Sequence, residues 1–402
     1  LTGSERGRWG KGKNQVRAAR RRRIVILAGN RPARIDEEPI VTTVRAFTIS
    51  PVQIPDSIES PEAADFIAAV EVRNAVEAHG YGTDEQSYSA VELLPRWLDV
   101  HKKHGMYAAW LDGRMVGRCT SDALLEEPAT CWVDVQVLPE YRRLGIGTAL
   151  ADTVEAAVRA DGRTNLIVYA VSASASGEQL PSPTGFGSVP MDNPEVRFLL
   201  GRGYTLEQVE RGSRLVLPVD NAELTKRLAD VADEAGPGYR LHEWSGRIPA
   251  RWRADMALRY TAMSTEEPSA GLDEPESIWT PERLVQTEEL EDGNGRTSLF
   301  AVVEHLPTGK LCGLTMFSVP VEVARVVAQE DTLVMPEHRG HRLGMLMKIA
   351  NLRQLQRDLP GHPAITTFNA EENRPMLDVN EAVGFVPMGY EGAWKKILAP
   401  NG

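Results

Sequence analysis

The chain has 402 residues, 42% hydrophobic and 25% charged, which suits a globular protein of two or three ordinary domains. No apolar run nears the ~18–20 residues of a membrane span. Three widely spaced cysteines, Cys119, Cys131 and Cys312, suggest packed free thiols in a reducing cytoplasm, with neither a disulfide framework nor a metal site. Net charge is −11; residues 1–40 carry +7 of it, so the remainder stands at −18. An acidic body argues against nucleic-acid binding and is compatible with a cationic small-molecule substrate.

Residues 1–40 read as a basic disordered leader. Arg20–Arg23 precede an apolar run of six residues, short of the ~7–15 of a signal peptide, and no cleavage motif follows. From Val44 the pattern becomes regular. The sequence predicts a strand over Val44–Ile49, helices over Pro61–His79 and Glu85–Lys103, and a hairpin (Met106–Leu111, Arg114–Cys119) turning at Asp112-Gly113. Cys131–Val137 alternates as a half-buried strand, followed by a helix ending near Asp161-Gly162 and a strand over Asn165–Val171. Ser172–Asp192 is loop-like in composition and suits either a lid or interdomain contact or a solvated surface loop. Asn193–Leu200 reads as a short helix and Tyr204–Leu217 as closing strands. Residues 218–237 form a linker with a helix over Ala222–Ala235.

The plan then repeats. Strands are predicted over Arg240–Trp244, Leu299–Glu304, Cys312–Val319, Val327–Val334 and Ala364–Phe368. Helices are predicted over Ala250–Met263, Pro281–Glu291, Gly340–Asp358 and Asn373–Val383, with a last hairpin opening at Gly384-Phe385. Pro336-Glu337-His338-Arg339 echoes Pro139-Glu140-Tyr141-Arg142 at a distance of 197 residues, and Tyr239 lies 195 beyond Val44. A near-constant offset indicates two copies of one domain, residues 41–217 and 238–402. From the loop proline to the later Gly-aromatic pair is 64 residues in the first copy and 48 in the second, a net insertion of 16. An acidic loop, Ser264–Thr280, separates the first two helices of the second copy.

The stretch that carries chemistry follows the strand Cys131–Val137. Pro139 stops the strand, and Arg142-Arg143-Leu144-Gly145-Ile146-Gly147-Thr148 leads into an Ala-rich helix. Glycines there let backbone N–H groups approach a ligand, the helix start adds orphan N–H groups and a dipole, and the arginines add charge. Phosphate is the natural occupant. No Lys-Ser/Thr follows, so this is not a P-loop, and the glycines stand too far from the strand for a dinucleotide fold.

A strand ending V-x-P, then Arg-x-x-Gly-x-Gly, then a helix resembles the GCN5-related N-acetyltransferase (GNAT) family, in its tandem two-domain actinobacterial type. The resemblance implies an α/β mixed fold of two acyl-CoA N-acyltransferase domains, each a mostly antiparallel sheet flanked by helices. It implies acetyl-CoA, its pyrophosphate on the loop and its pantetheine arm along a splayed strand. By that resemblance Val135 and Val137 in the first copy, and Leu333 and Val334 in the second, lie at the strand end. The second loop is Arg339-Gly340-His341-Arg342-Leu343-Gly344-Met345, where Arg342 replaces the first glycine. Asn369 and Asn373 match asparagines that contact the cofactor.

Asp134 and Asp331, five residues before each loop proline, are candidate general bases. Glu330 adjoins Asp331 and by strict alternation points to the opposite face. Asn380 and Leu199 occupy the position where many family members carry a general-acid tyrosine, and Tyr390 and Tyr204 are other tyrosines within reach by sequence. The expected function is acetylation of a primary amine on a small molecule by a cytoplasmic monomer or homodimer, without nucleic-acid or membrane partners, and with the second copy catalytic. The alternative is a catalytically degenerate acyl-CoA-binding sensor or scaffold.

Overall fold

The structure, a computed structural model, describes residues 46–399, which belong to one compact unit. The leader expected over residues 1–40 lies outside the described residues. Strand β1 is Thr48–Pro51; helices α1 (Ala63–Tyr81) and α2 (Ala90–Trp97) precede β2 (Lys102–Leu111), β3 (Arg114–Leu124) and β4 (Thr130–Val137). Then come α3 (Ile146–Ala160), β5 (Asn165–Ser172), β6 (Gln179–Pro181), β7 (Ser188–Pro190), α4 (Pro194–Gly201) and β8 (Thr205–Val216). Helix α5 (Asn221–Ala235) leads to β9 (Tyr239–Ser245), α6 (Arg253–Glu266), α7 (Pro281–Glu291), β10 (Arg296–His305), β11 (Lys310–Pro320) and β12 (Val327–Val334). The chain closes with α8 (Leu343–Asp358), β13 (Ala364–Ala370), α9 (Arg374–Val383) and β14 (Val386–Ile397).

Twelve strands form one sheet, ordered β1-β2-β3-β4-β5-β14-β8-β13-β12-β11-β10-β9. Its only parallel pairs among the described residues are β4–β5 and β12–β13. The order is a palindrome of the two halves, except that the central strands have changed places. The C-terminal strand β14 pairs with β5 of the first half, and β8 pairs with β13 of the second. Packing follows the exchange: Trp394 and Leu398 are buried in the first half's core, and Leu215 in the second's. The closing strands expected over Tyr204–Leu217 and the hairpin expected from Gly384-Phe385 are therefore two single 12-residue strands, because each finds its partners in both halves.

Two further differences have local causes. The second helix begins at Ala90, not Glu85, because Ser89 and Glu92 form a capping box: the Ser89 side chain accepts from Glu92 N–H, and Ser89 N–H donates to the Glu92 carboxylate. The insertion 172–192 holds the β6–β7 hairpin, whose Val189 is fully buried in the first half's core. That hairpin is packed structure. All three cysteines are free and buried. No helix among the described residues is long and apolar enough to cross a membrane.

Candidate active site

Each half builds the same gap. β4 and β5 pair only over Thr130–Trp132, and β12 and β13 only over Val327–Ala328; beyond these the parallel strands part. Leu138 N–H bonds Val116 O, and Met335 N–H bonds Cys312 O. Backbone polar groups alternate sides along an antiparallel ladder. Those of Val135, Val137 and Val334 therefore face the gap. Leu333 lies at the strand end as expected, but its backbone groups are spent on β11, so Val334 alone of that pair presents them to the gap.

The loops that follow share one backbone conformation with different residues. The left-handed positions in the first loop are Arg143 (φ 66°) and Gly145 (φ 84°); in the second they are Gly340 (φ 89°) and Arg342 (φ 56°). Counted from the loop proline these are the same two positions, with glycine and arginine interchanged. Arg342 thus replaces a glycine without changing the path. The first helical bonds run from Ala149 N–H to Gly145 O (3.1 Å) and from Leu346 N–H to Arg342 O (2.9 Å). The amides of Ile146, Gly147 and Thr148, and of Leu343, Gly344 and Met345, therefore have no acceptor within their helices. Left-handed turns leading into such helix starts form anion-binding concavities.

Side chains in the loops do other work. Ile146, Leu343 and Met345 are buried and fix the helices in the core, Leu144 is exposed, and His341 packs its ring on Tyr239 at 5.1 Å. Arg142 Nε donates to Val137 O (3.2 Å) and Arg339 Nε to Val334 O (3.1 Å), tying each loop to its strand end. Arg339 also reaches Glu266 at 2.6 Å.

The carboxylates differ between the halves. On β11 and β12, Thr315 opposes Thr332 while Phe317 opposes Gln329, so Glu330 and Asp331 together oppose Met316. This is a β-bulge. Gln329 and Thr332 consequently share the face toward α8: Gln329 Nε2 donates to Thr315 Oγ1 (2.9 Å) and Thr332 Oγ1 (3.1 Å), and Lys348 Nζ donates to Gln329 Oε1 (3.0 Å). Glu330 and Asp331 are left together on the other face, under α6. Strict alternation had separated them, and the extra residue overturns that. Asp331 is half-buried, with no hydrogen-bond or ion-pair partner among the described residues. Burial first, then the negative charges of Glu330 and Glu267, push its carboxyl up to about 7.

Strand β4 has no such bulge. Arg118 Nη2 stands 3.7 Å from Asp134, and Arg118 Nε donates to Gln136 Oε1 at 2.7 Å. Burial raises the Asp134 carboxyl, and Arg118 opposes the rise. Gln136 Nε2 continues to Glu77 Oε1 on α1 (2.9 Å), whose carboxyl burial pushes up to about 7. Sequence reasoning passed over Glu77 and Arg118, which only the fold brings to Asp134.

Asn380 is corrected: it is 1% exposed and donates to Asn369 Oδ1 at 2.7 Å, so it positions Asn369 and faces no cleft. Leu199 is core, and Tyr204 is buried against Glu155. Asn373 stands at the start of α9, and Asn193 stands likewise at the start of α4, bonded to Ser172 Oγ and Ala173 O. The 16-residue insertion hid that correspondence.

Each half also lends a loop to the other. Tyr88, between α1 and α2, lies under the Arg296 guanidinium of the second half (5.2 Å). Arg296 and Arg325 of the second half bind Glu92 at 2.7 and 2.8 Å. Reciprocally, Leu272 of the acidic loop is fully buried against Ile167 and Ala393, and Tyr169 OH donates to Glu274 Oε1 (2.8 Å).

Residues 67–176 match the acetyltransferase (GNAT) family. Over that stretch the chain is similar to the GNAT acetyltransferases. The described sheet, with two splayed strand pairs and two such loops, extends that GNAT fold into a tandem. In structure the chain is similar to a tandem GNAT protein from the clavulanic acid biosynthesis pathway, solved without AcCoA (24% identity, TM-score 0.65, covering 89% of this chain and 100% of that one). It is also similar to a GCN5-related N-acetyltransferase from Sphaerobacter thermophilus (15% identity, TM-score 0.56, covering 88% and 96%). A third is the GCN5-related glucosamine N-acetyltransferase region of a fungal multi-domain GH3 β-N-acetylglucosaminidase (15%, TM-score 0.52, covering 87% and 38%). No curated protein matches the sequence. Among the described residues no cluster of His, Cys, Asp and Glu could hold a metal ion.

Proposed function

We propose that the protein is an acetyl-CoA-dependent N-acetyltransferase acting on a primary amine of a small molecule, with transfer in the second half and Asp331 as general base. The observation that carries this reading is an unpaired carboxyl, poised at about 7, beside a parted strand edge and an anion-binding loop. A diphosphate fits the orphan amides of Leu343, Gly344 and Met345 and the left-handed turn before them, while the exposed Val334 edge suits an amide-bearing arm. When bound, acetyl-CoA supplies an activated acyl carbon.

The residues divide the remaining work. Asp331 takes a proton from the substrate ammonium, directly or through water, and frees the nitrogen lone pair for attack. A gap-facing backbone N–H stabilises the charge that develops on the acyl oxygen. The departing thiolate takes its proton from water, since an asparagine amide such as Asn380 is no proton donor at neutral pH. The first half, with a complete loop but Asp134 held against Arg118, is the binding partner in this scheme.

Thiol release from acetyl-CoA, measured across a panel of primary amines beside direct acetyl-CoA binding, tests the proposal. Amine-dependent release supports it. Binding without release by any amine points to the sensor reading.

A further inference from the structure

A cavity of about 360 Å³ lies between the first half's β2–β5 region and the second half's acidic loop. None of the residues lining it belongs to either loop or to the gap-facing strand ends. Its charged lining residues are Arg96, Lys102, Asp122 and Glu274, and the rings of Trp132 and Tyr169 form part of its wall. That volume is within the range of small-molecule sites.

The charges are unevenly satisfied. At one end, Asp122 Oδ2 takes Arg96 Nη2 at 3.1 Å and Lys102 Nζ at 3.4 Å. Two cations share one carboxylate, which leaves a surplus of one positive charge, and Arg96 keeps 64% of its side chain exposed. At the other end, Glu274 Oε1 accepts from Tyr169 OH (2.8 Å) and Trp132 Nε1 (3.3 Å). Neither donor carries charge, and no cation pairs with Glu274 among the described residues. Its carboxylate is thus held by two aromatic side chains, a setting that suits an ammonium group. A negative end and a positive end in one cavity match a zwitterion better than an amine or an acid alone.

We propose that this junction is a binding site for a small zwitterionic aminocarboxylate, its ammonium on Glu274 between Trp132 and Tyr169 and its carboxylate on Arg96 and Lys102. The pocket exists only because the second half's loop is pinned across the first half's sheet. Leu272 anchors it, with Asn165 Nδ2 donating to Leu272 O (3.1 Å) and Lys395 Nζ to Gly271 O (2.7 Å). Occupancy would therefore tie the halves together. The inference goes beyond acyl transfer and does not rest on it.

Calorimetry on the full chain, without acetyl-CoA, tests it with L-phenylalanine, γ-aminobutyrate and 6-aminohexanoate as zwitterions. Phenethylamine, 3-phenylpropanoate, butylamine, butyrate, hexylamine and hexanoate are the matched single-charge controls. At least one zwitterion should bind about 10-fold or more tighter than both of its counterparts, the value of one charge-assisted contact. Glu274→Gln, which keeps an acceptor for Tyr169, should erase the advantage over the acid. Arg96→Ala should erase the advantage over the amine, and its exposed side chain makes it the safer variant should Glu274→Gln fail to fold. If no zwitterion outbinds its counterparts at millimolar concentration, or if Arg96→Ala leaves the preference unchanged, the site is not what is proposed.

Discussion

Lys348 is a buried cation whose removal should stabilise the fold. It sits on α8, 2% exposed, and its amine donates to Gln329 Oε1 at 3.0 Å. Burial pushes its amine down from 10.5 to about 7. Between those values the unfolded chain holds a proton that the folded chain does not. Stability therefore rises with pH through this window, and the penalty is fully present below about 7. At about 1.4 kcal/mol per pH unit the cost of keeping this lysine is at most about 4–5 kcal/mol at neutral pH. Lys348→Met removes that cost and keeps the apolar stem, but it strands Gln329 Oε1 at a loss of about 1–2 kcal/mol. The variant should be more stable than the parent by roughly 2–3 kcal/mol at pH 7, with the gain vanishing near about pH 9 and turning into a small loss by about pH 10. Urea unfolding of both proteins from pH 6 to 10 measures this. Taking their difference cancels the buried thiols of Cys119 and Cys131, which burial pushes up to about 12. A variant less stable at pH 7, or a difference flat with pH, would refute the reasoning.

The two left-handed arginines give a second prediction: Arg143→Gly and Arg342→Gly should each stabilise by about 1 kcal/mol, since glycine adopts that conformation without strain. Thermal midpoints would show it, and a fall for both would contradict the backbone reading. Strand exchange gives a third. A fragment spanning 46–219 lacks β14 and should expose the β5 edge and aggregate, whereas co-expression with 220–402 should restore a soluble complex; a monomeric, cooperatively folding 46–219 fragment would count against the exchange.

Much of this was legible in the residues. Hydrophobic alternation, the loop prolines and the offset of 197 residues located both copies and both loops. Strand exchange was not legible, because β8 and β14 alternate in the same way whichever neighbour they pair with. The bulge at Glu330-Asp331 was hidden for a related reason: one extra residue in a strand leaves no compositional mark, yet it reverses which side chains share a face. Nor does local sequence reveal that Tyr88 and Glu274 serve the opposite half, since their partners Arg296 and Tyr169 stand over 100 residues away.

The most direct test of the central claim is turnover against pH for Asp331→Asn and Asp134→Asn, beside the acetyl-CoA dissociation constant of each. Because Asp331 must be ionised to accept a proton, parent turnover should rise with pH through about 7. Asp331→Asn should lose that limb and ~100–10,000-fold of the rate while binding acetyl-CoA nearly as before. Asp134→Asn, whose carboxylate faces Arg118, should be mild. A crippled Asp134→Asn beside a near-normal Asp331→Asn would place the chemistry in the first half and contradict the account.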